Sequence, residues 1–223
     1  MNAIFARENE KLKEAILRLA GEVEARLSDV LQAVERRDKE RLLTLIDRDC
    51  EIDEREVQIE EECLKILALH QPVARDLRFV VAVLKINNDL ERIGDIVVNI
   101  ADRGVRLAAF PVFELQEKIM LMGRLGRDML KDSLDALIAL DVRKATEVIG
   151  RDDEVDRLNG EVISSVVAQA AAANTGSMTE PLMLIHSISR DLERIGDHAT
   201  NIAEDVAYLV DGTIIRHKHA QPN

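Results

Sequence analysis

Apolar residues along the chain recur with the period of one helical face. In the stretch Asn88 to Arg103, for example, Ile93, Val97 and Ile100 fall together on a 100° wheel, while Glu91, Asp95 and Asp102 share a sector roughly opposite and Asn99 lies at its edge. Breakers divide this pattern into long periodic segments. Asp38 and Asp141 are candidate helix caps, Gln71-Pro72 and the run from Asn174 to Pro181 interrupt the pattern, and Pro111 falls near the middle. The pattern predicts helices over 8–36, 39–69, 73–109, 113–139, 142–173 and 179–210. The segment 213–223 loses the period and is expected to be a flexible tail, where His217 and His219 could hold adventitious metal.

The two halves repeat one another. A shift of 102 maps Asp89, Leu90, Glu91, Arg92, Ile93, Gly94 and Asp95 onto Asp191, Leu192, Glu193, Arg194, Ile195, Gly196 and Asp197, and Asn99, Ile100 and Ala101 onto Asn201, Ile202 and Ala203. A shift of 103 maps Arg48–Asp53 onto Arg151–Asp156, and Leu27, Asp29 and Leu31 onto Leu130, Asp132 and Leu134. Three helices with two-sided apolar surfaces cannot lie as a flat row, so each repeat is expected to close as an antiparallel bundle. The fold class is therefore all-α: six long helices in two tandem three-helix bundles, over 1–110 and 111–212.

Composition agrees with helix-on-helix packing. The 223 residues are 47% hydrophobic but only 2% aromatic, with 10 Gly and 4 Pro. A net charge of -12 without a basic stripe argues against nucleic acid as a partner. No apolar run approaches the roughly 20 residues that span a bilayer, and the start lacks a signal peptide's apolar centre, so the chain reads as cytoplasmic with no membrane insertion. Cys50 and Cys63 stand 13 positions apart on one predicted helix, too far for a disulfide, and read as buried spectators.

The charge has an arrangement that calls for chemistry. Asp49/Asp53, Glu91/Asp95, Asp152/Asp156 and Glu193/Asp197 are four acid-x-x-x-acid pairs on predicted helices. Carboxylates four apart share a face and repel by a few tenths of a kcal/mol per pair, an arrangement a bound cation would offset. A merely solvated face does not require the same carboxylate, Gly and Asn twice over. Asn99 and Asp102 extend the first stripe, and Asn201 and Glu204 the second. All-oxygen donors suit Mg²⁺, Mn²⁺ or Ca²⁺, and iron where several carboxylates bridge it.

Other residues around the stripes have plainer readings. Gly94 and Gly196, costly by about 1 kcal/mol in mid-helix, leave room either for a crossing helix or for a bound cluster. Asp89 and Asp191 fall on the apolar side, where Arg92, Arg194, Arg75 or Arg78 could pair with them. His198 points away from the acidic stripe and is at best a peripheral ligand; His70 and His186 read as ordinary helix residues.

These residues carry a resemblance. Two three-helix repeats, each with the sequence Asp-Leu-Glu-Arg-Ile-Gly-Asp followed by Asn and Ala, resemble the PhoU family of phosphate-specific transport system accessory proteins over essentially the full chain. That resemblance implies a cytoplasmic, often homodimeric regulator that represses the phosphate-starvation response when phosphate is plentiful. It implies as partners a sensor histidine kinase and the ATPase subunit of the phosphate ABC transporter. It implies metal clusters of iron, zinc, magnesium or manganese on Asp49, Asp53, Glu91, Asp95, Asp152, Asp156, Glu193 and Asp197, extended to Asn99, Asp102, Asn201 and Glu204. His198 and Thr200 stand where the first repeat has Ile96 and Val98, so equal metal occupancy of the two stripes does not follow.

Two rival classes remain in view. A di-metal carboxylate enzyme would place a histidine three residues after Glu91 and Glu193, where Gly94 and Gly196 stand instead. No nucleophile motif or phosphate loop is present, so the chain is not expected to be an enzyme. An acidic helical scaffold without metal would retain no ions after dialysis.

Overall fold

The computed structural model describes residues 3–48, 50–111, 115–172 and 178–212, and these contain eight helical segments and no strand. They are α1 (Ala3–Arg36), α2 (Lys39–Ile46), α3 (Cys50–His70), α4 (Ala74–Leu107), α5 (Leu115–Ala139), α6 (Val142–Ile149), α7 (Asp152–Ala172) and α8 (Thr179–Asp211). The six expected rods are recognisable, but the second rod of each half, expected over 39–69 and 142–173, is broken into a short and a long piece. Asp49 and the segment 213–223, including His217 and His219, lie outside the described residues.

The turns repeat as the sequence does. α1 and α5 end in left-handed residues, Arg37 at φ 58° and Leu140 at φ 52°. Asp38 N then donates to Ala33 O at 2.9 Å, and Asp141 N to Ala136 O at 3.0 Å, bonds that satisfy the last carbonyls of each helix. The same two aspartates start the next helices, as expected of them. Asp38 Oδ1 accepts from Arg41 N, and Asp141 Oδ1 accepts from the backbone of Arg143 and Lys144.

The breaks after α2 and α6 fall at equivalent places. Leu43 and Thr146 accept the last helical bonds from Asp47 and Gly150, after which the chain turns and restarts at Cys50 and Asp152. Side chains hold the turns in place. Arg48 bonds Glu51, which Arg26 of α1 also reaches at 2.7 Å, and Arg151 and Lys144 both pair with Asp132 of α5. Asp53 and Asp152 therefore fall in the first turns of α3 and α7, where the partial positive charge of free N–H groups favours carboxylates.

Packing follows the apolar stripes. α1 lies against α2, α3 and α4, α5 lies against α6, α7 and α8, and α4 runs along α8 to join the halves, with α1 also touching α5. Ile93, Val97 and Ile100 are buried, as are Ile195, Ala199 and Ile202 of α8. His70 ties α3 to α1 through Glu8, its Nε2 2.6 Å from Glu8 Oε2. Cys63 is buried and Cys50 exposed, both free, so the expectation of burial fails for Cys50, which opens α3 at the surface.

Close packing requires one of the two mid-helix glycines more than the other. A Cβ on Gly94 would lie 3.1 and 3.2 Å from side-chain atoms of Ile52, so this glycine admits the crossing α3. A Cβ on Gly196 would meet Val155 of α7 at 3.6 Å and Asp152 Oδ1 at 3.5 Å, ordinary contacts that touch both the crossing helix and a motif carboxylate. Alanine recovers about 1 kcal/mol of helix propensity at either position. At Gly94 it must displace Ile52, which is buried and stiff at its β-branch. Gly196→Ala is therefore expected to match or exceed the parent's stability, with Gly94→Ala about 1–2 kcal/mol below it in denaturant titration; equal midpoints would contradict this packing.

Candidate metal centre

The acids expected to work together are brought together unevenly. In the first half, Asp53 in the first turn of α3 meets Glu91 and Asp95 at the middle of α4. One oxygen from each lies within 4.8 Å of the others, close enough for a single ion to touch all three. Burial first, then Asp95, Glu56 and Asp53, push the Glu91 carboxyl above its usual range.

Glu56 belongs to this neighbourhood and was not expected there. It lies one turn beyond Asp53 on α3, and burial with Glu60 and Asp53 raises its own carboxyl. Asn87 Nδ2 donates to Glu56 Oε1 at 3.0 Å and to its backbone oxygen at 2.9 Å. The second half has Asn159 and Ser189 at the equivalent places, and Ser189 Oγ donates to Asn159 Oδ1 at 3.0 Å. The two exchanged residues preserve a hydrogen bond while removing one carboxylate. A spacing of three from Asp53 was the available signal, and comparing the repeats concealed it.

In the second half, Asp152 and Asp156 open α7 and face Glu193 and Asp197 of α8. Asp152 is raised to about 6 by burial first and then by Asp197, Asp156 and Asp153. Burial and Asp156 likewise raise Asp197, while burial, Asp197 and Asp156 raise Glu193. Asp152 Oδ1 is buried without a hydrogen-bond partner. Among the described residues, this half does not bring three ligand oxygens to the spacing seen in the first.

The folded chain thus holds a proton on Asp152 between pH about 4 and about 6 that the unfolded chain has already released. The folded state then binds more protons than the unfolded one, so stability falls as pH rises through that window. Without metal, melting is expected to be lower at pH 7 than at pH 5, and Asp152→Asn should remove about 1 kcal/mol of the difference after allowance for partial exposure. An unchanged pH slope in the variant would show that Asp152 is not under this strain.

The stripe's outer members behave differently. Asn99 and Asp102 are exposed on α4 and do not join the gathered oxygens of the first half. Asn201 and Glu204 line a groove with Asp152, Asp197 and Thr200. Asn201 also donates from Nδ2 to Asp89 Oδ1 at 3.3 Å, which gives it a structural partner as well.

Asp89 and Asp191 are buried, and their partners come from across the junction of the halves. His198 Nδ1 lies 2.8 Å from Asp89 Oδ1; the carboxylate can only accept, so the proton sits on Nδ1. Asp191 pairs with Arg103 of α4. Burial raises the Asp191 carboxyl, opposed by Arg103 and Arg194. Arg103 and His198 therefore take places for which Arg92, Arg75 and Arg78 were candidates, and His198 is a buried residue whose Nδ1 is committed to Asp89. Lys85 adds a third cross-link through Asp205 at 2.6 Å. These pairs match increasing positions on α4 with decreasing positions on α8, so the two helices run antiparallel.

Fold and site together define a class: duplicated all-helical bundles whose halves carry matching acidic groups on either side of a joining helix pair. The PhoU domain matches residues 16–104 and again 119–206. The phosphate-specific transport system accessory protein PhoU homolog of Clostridium acetobutylicum is 34% identical over 212 residues, covering 94% of this chain and 95% of its own. The homolog of the same description from Deinococcus radiodurans is 41% identical over 167 residues, 74% of this chain and 76% of its own. The crystal structure of PhoU from Pseudomonas aeruginosa superposes with a TM-score of 0.90 at 33% identity, covering 94% of this chain and all of that one. The chain belongs to the PhoU family. Among the described residues, no helix is long and apolar enough to cross a membrane.

Proposed function

We propose that this protein is a cytoplasmic, metal-binding regulator of phosphate uptake that restrains the phosphate-starvation response when phosphate is plentiful. Family membership supports the role in phosphate transport, and the repeated meeting of acid-x-x-x-Asp motifs on α3 with α4 and on α7 with α8 supports metal binding. The observation that carries the metal reading is the convergence of Asp53, Glu91 and Asp95 to within 4.8 Å, with no lysine or arginine ion pair to any of the three among the described residues. The buried Asp152 Oδ1, which has only the Thr200 hydroxyl beside it to offer a hydrogen bond, supports a second position. Bound at these positions, a hard cation such as Mg²⁺, Mn²⁺ or bridged iron would offset the burial and repulsion that raise the carboxyls of Glu91, Asp152, Glu193 and Asp197.

The remaining parts of the reading follow from family likeness. The partners are a phosphate-sensing histidine kinase and the ATPase subunit of the phosphate ABC transporter, and the chain acts as a homodimer without catalysing a reaction. The test is genetic. Deleting the gene should leave the starvation response on in high phosphate, and the wild-type gene should restore repression. Normal repression in the deletion strain would overturn the regulatory reading. Metal is tested separately by elemental analysis of protein purified without a histidine tag: trace metal only would favour an acidic scaffold.

A further inference from the structure

The antiparallel course of α4 and α8 has a chemical result beyond joining the halves: both copies of the motif arginine line one groove. Arg92 and Arg194 occupy equivalent positions 102 apart and share an open groove of about 660 Å³ with Asn88, Glu91, Asp95, Asp197, His198 and Asn201. Both arginines are exposed. Among the described residues neither forms a hydrogen bond or a close ion pair, although Glu91 and Asp197 are near enough to be influenced by them. Of the other cations near the junction, Lys85 is committed to Asp205 and Arg103 to Asp191.

We propose that this groove binds a tetrahedral oxyanion of the size of inorganic phosphate, held by Arg92 and Arg194 after the flanking carboxylates have taken up cations. The inference rests on the metal reading above. In the metal-free chain Glu91, Asp95 and Asp197 outnumber the two arginines and repel an anion. Cations on the two acidic groups reverse that balance without occupying the arginines, whose planar forks suit bidentate contact with an oxyanion. Asn88 and Asn201 add neutral amide donors; Asn201 uses one of its two N–H bonds on Asp89 and keeps the other. The groove would thus require two kinds of ligand in a fixed order, metal first and anion second.

The test uses the full chain, Mn²⁺ as the metal and inorganic phosphate as the anion. Binding is followed by calorimetry, and closeness to the metal by relaxation of the phosphate ³¹P signal by bound Mn²⁺. Mn²⁺-loaded parent should bind phosphate, and the metal-free parent should not. The Arg92→Gln/Arg194→Gln variant, changed only at exposed positions, should bind Mn²⁺ as the parent does but hold phosphate at least about tenfold more weakly. Parental phosphate affinity in that variant would overturn the proposal, as would equal phosphate binding with and without Mn²⁺. A loaded parent that ignores millimolar phosphate would overturn it and leave the metal reading intact. A parent that takes up no Mn²⁺ would end both readings together.

Discussion

Stripping metal from the protein with a chelator is expected to lower its melting temperature by roughly 5–10 °C, because a ligand present at about 100 times its dissociation constant adds about 2.7 kcal/mol to a fold of this size. The cause is local. Asp53, Glu91 and Asp95 are held by α3 and α4 with one oxygen of each within 4.8 Å of the others, a spacing that suits one ion. Loss of the cation restores their repulsion. Neutralising the acids removes repulsion and binding together. A variant with Asp53→Asn, Glu91→Gln and Asp95→Asn, joined to Asp152→Asn, Asp156→Asn, Glu193→Gln and Asp197→Asn, should therefore melt at the same temperature with or without chelator. Equal shifts in parent and variant would make these stripes solvated helix faces and the repetition a record of duplication alone.

The second large effect is expected away from the acidic clusters. Asp89→Ala leaves His198 Nδ1–H and the Asn201 amide without their shared acceptor at the α4–α8 contact, where Asp89 and His198 are both buried. Orphaning one side of such a pair costs about 3 kcal/mol, or roughly 6–12 °C of melting temperature. His198→Leu in the Asp89→Ala background should return part of the loss, since the unpaired donor goes with it. A double-mutant cycle measures this directly, and strict additivity would show that the two side chains do not interact.

Much of this was legible because it is local or periodic. Asp38 and Asp141 could be read as caps from their place before an apolar run, and Ile93, Val97 and Ile100 as buried from their common wheel sector. Gly94 could be read as a close approach because glycine is costly in mid-helix, whereas the same argument overstated Gly196, whose Cβ would make only ordinary contacts. The break before Cys50 was not legible, since neither proline nor glycine marks it and the apolar period continues across the turn; the break before Asp152 carries one local mark, Gly150 directly after α6, set within a continuing apolar period. What fixes them is tertiary: Arg26 reaching Glu51 from α1, and Asp132 gathering Arg151 and Lys144 from α5. Glu56 escaped for the opposite reason, because its counterpart Asn159 carries no charge and a search for repeated acids passes over it. The partners of Asp89 could not be read from one helical wheel, as His198 and Asn201 lie more than a hundred residues away on another helix.

The antiparallel crossing of α4 and α8 also has a bearing on descent. Asp89 and Asp191 are the same residue of the repeat, and each reaches from its own half into the other. The arrangement approaches an isologous contact, in which position i of one copy faces position j of the other while j faces i, but the partner positions differ, since His198 and Asn201 correspond to Ile96 and Asn99 whereas Asp191 meets Arg103. A single half-length chain could have assembled with itself through this surface before fusion made the association intramolecular. Once the copies shared one polypeptide, each side of the contact was free to change separately. Asp89 now answers to a histidine and an asparagine and Asp191 to an arginine, an asymmetry that two identical subunits could not have encoded.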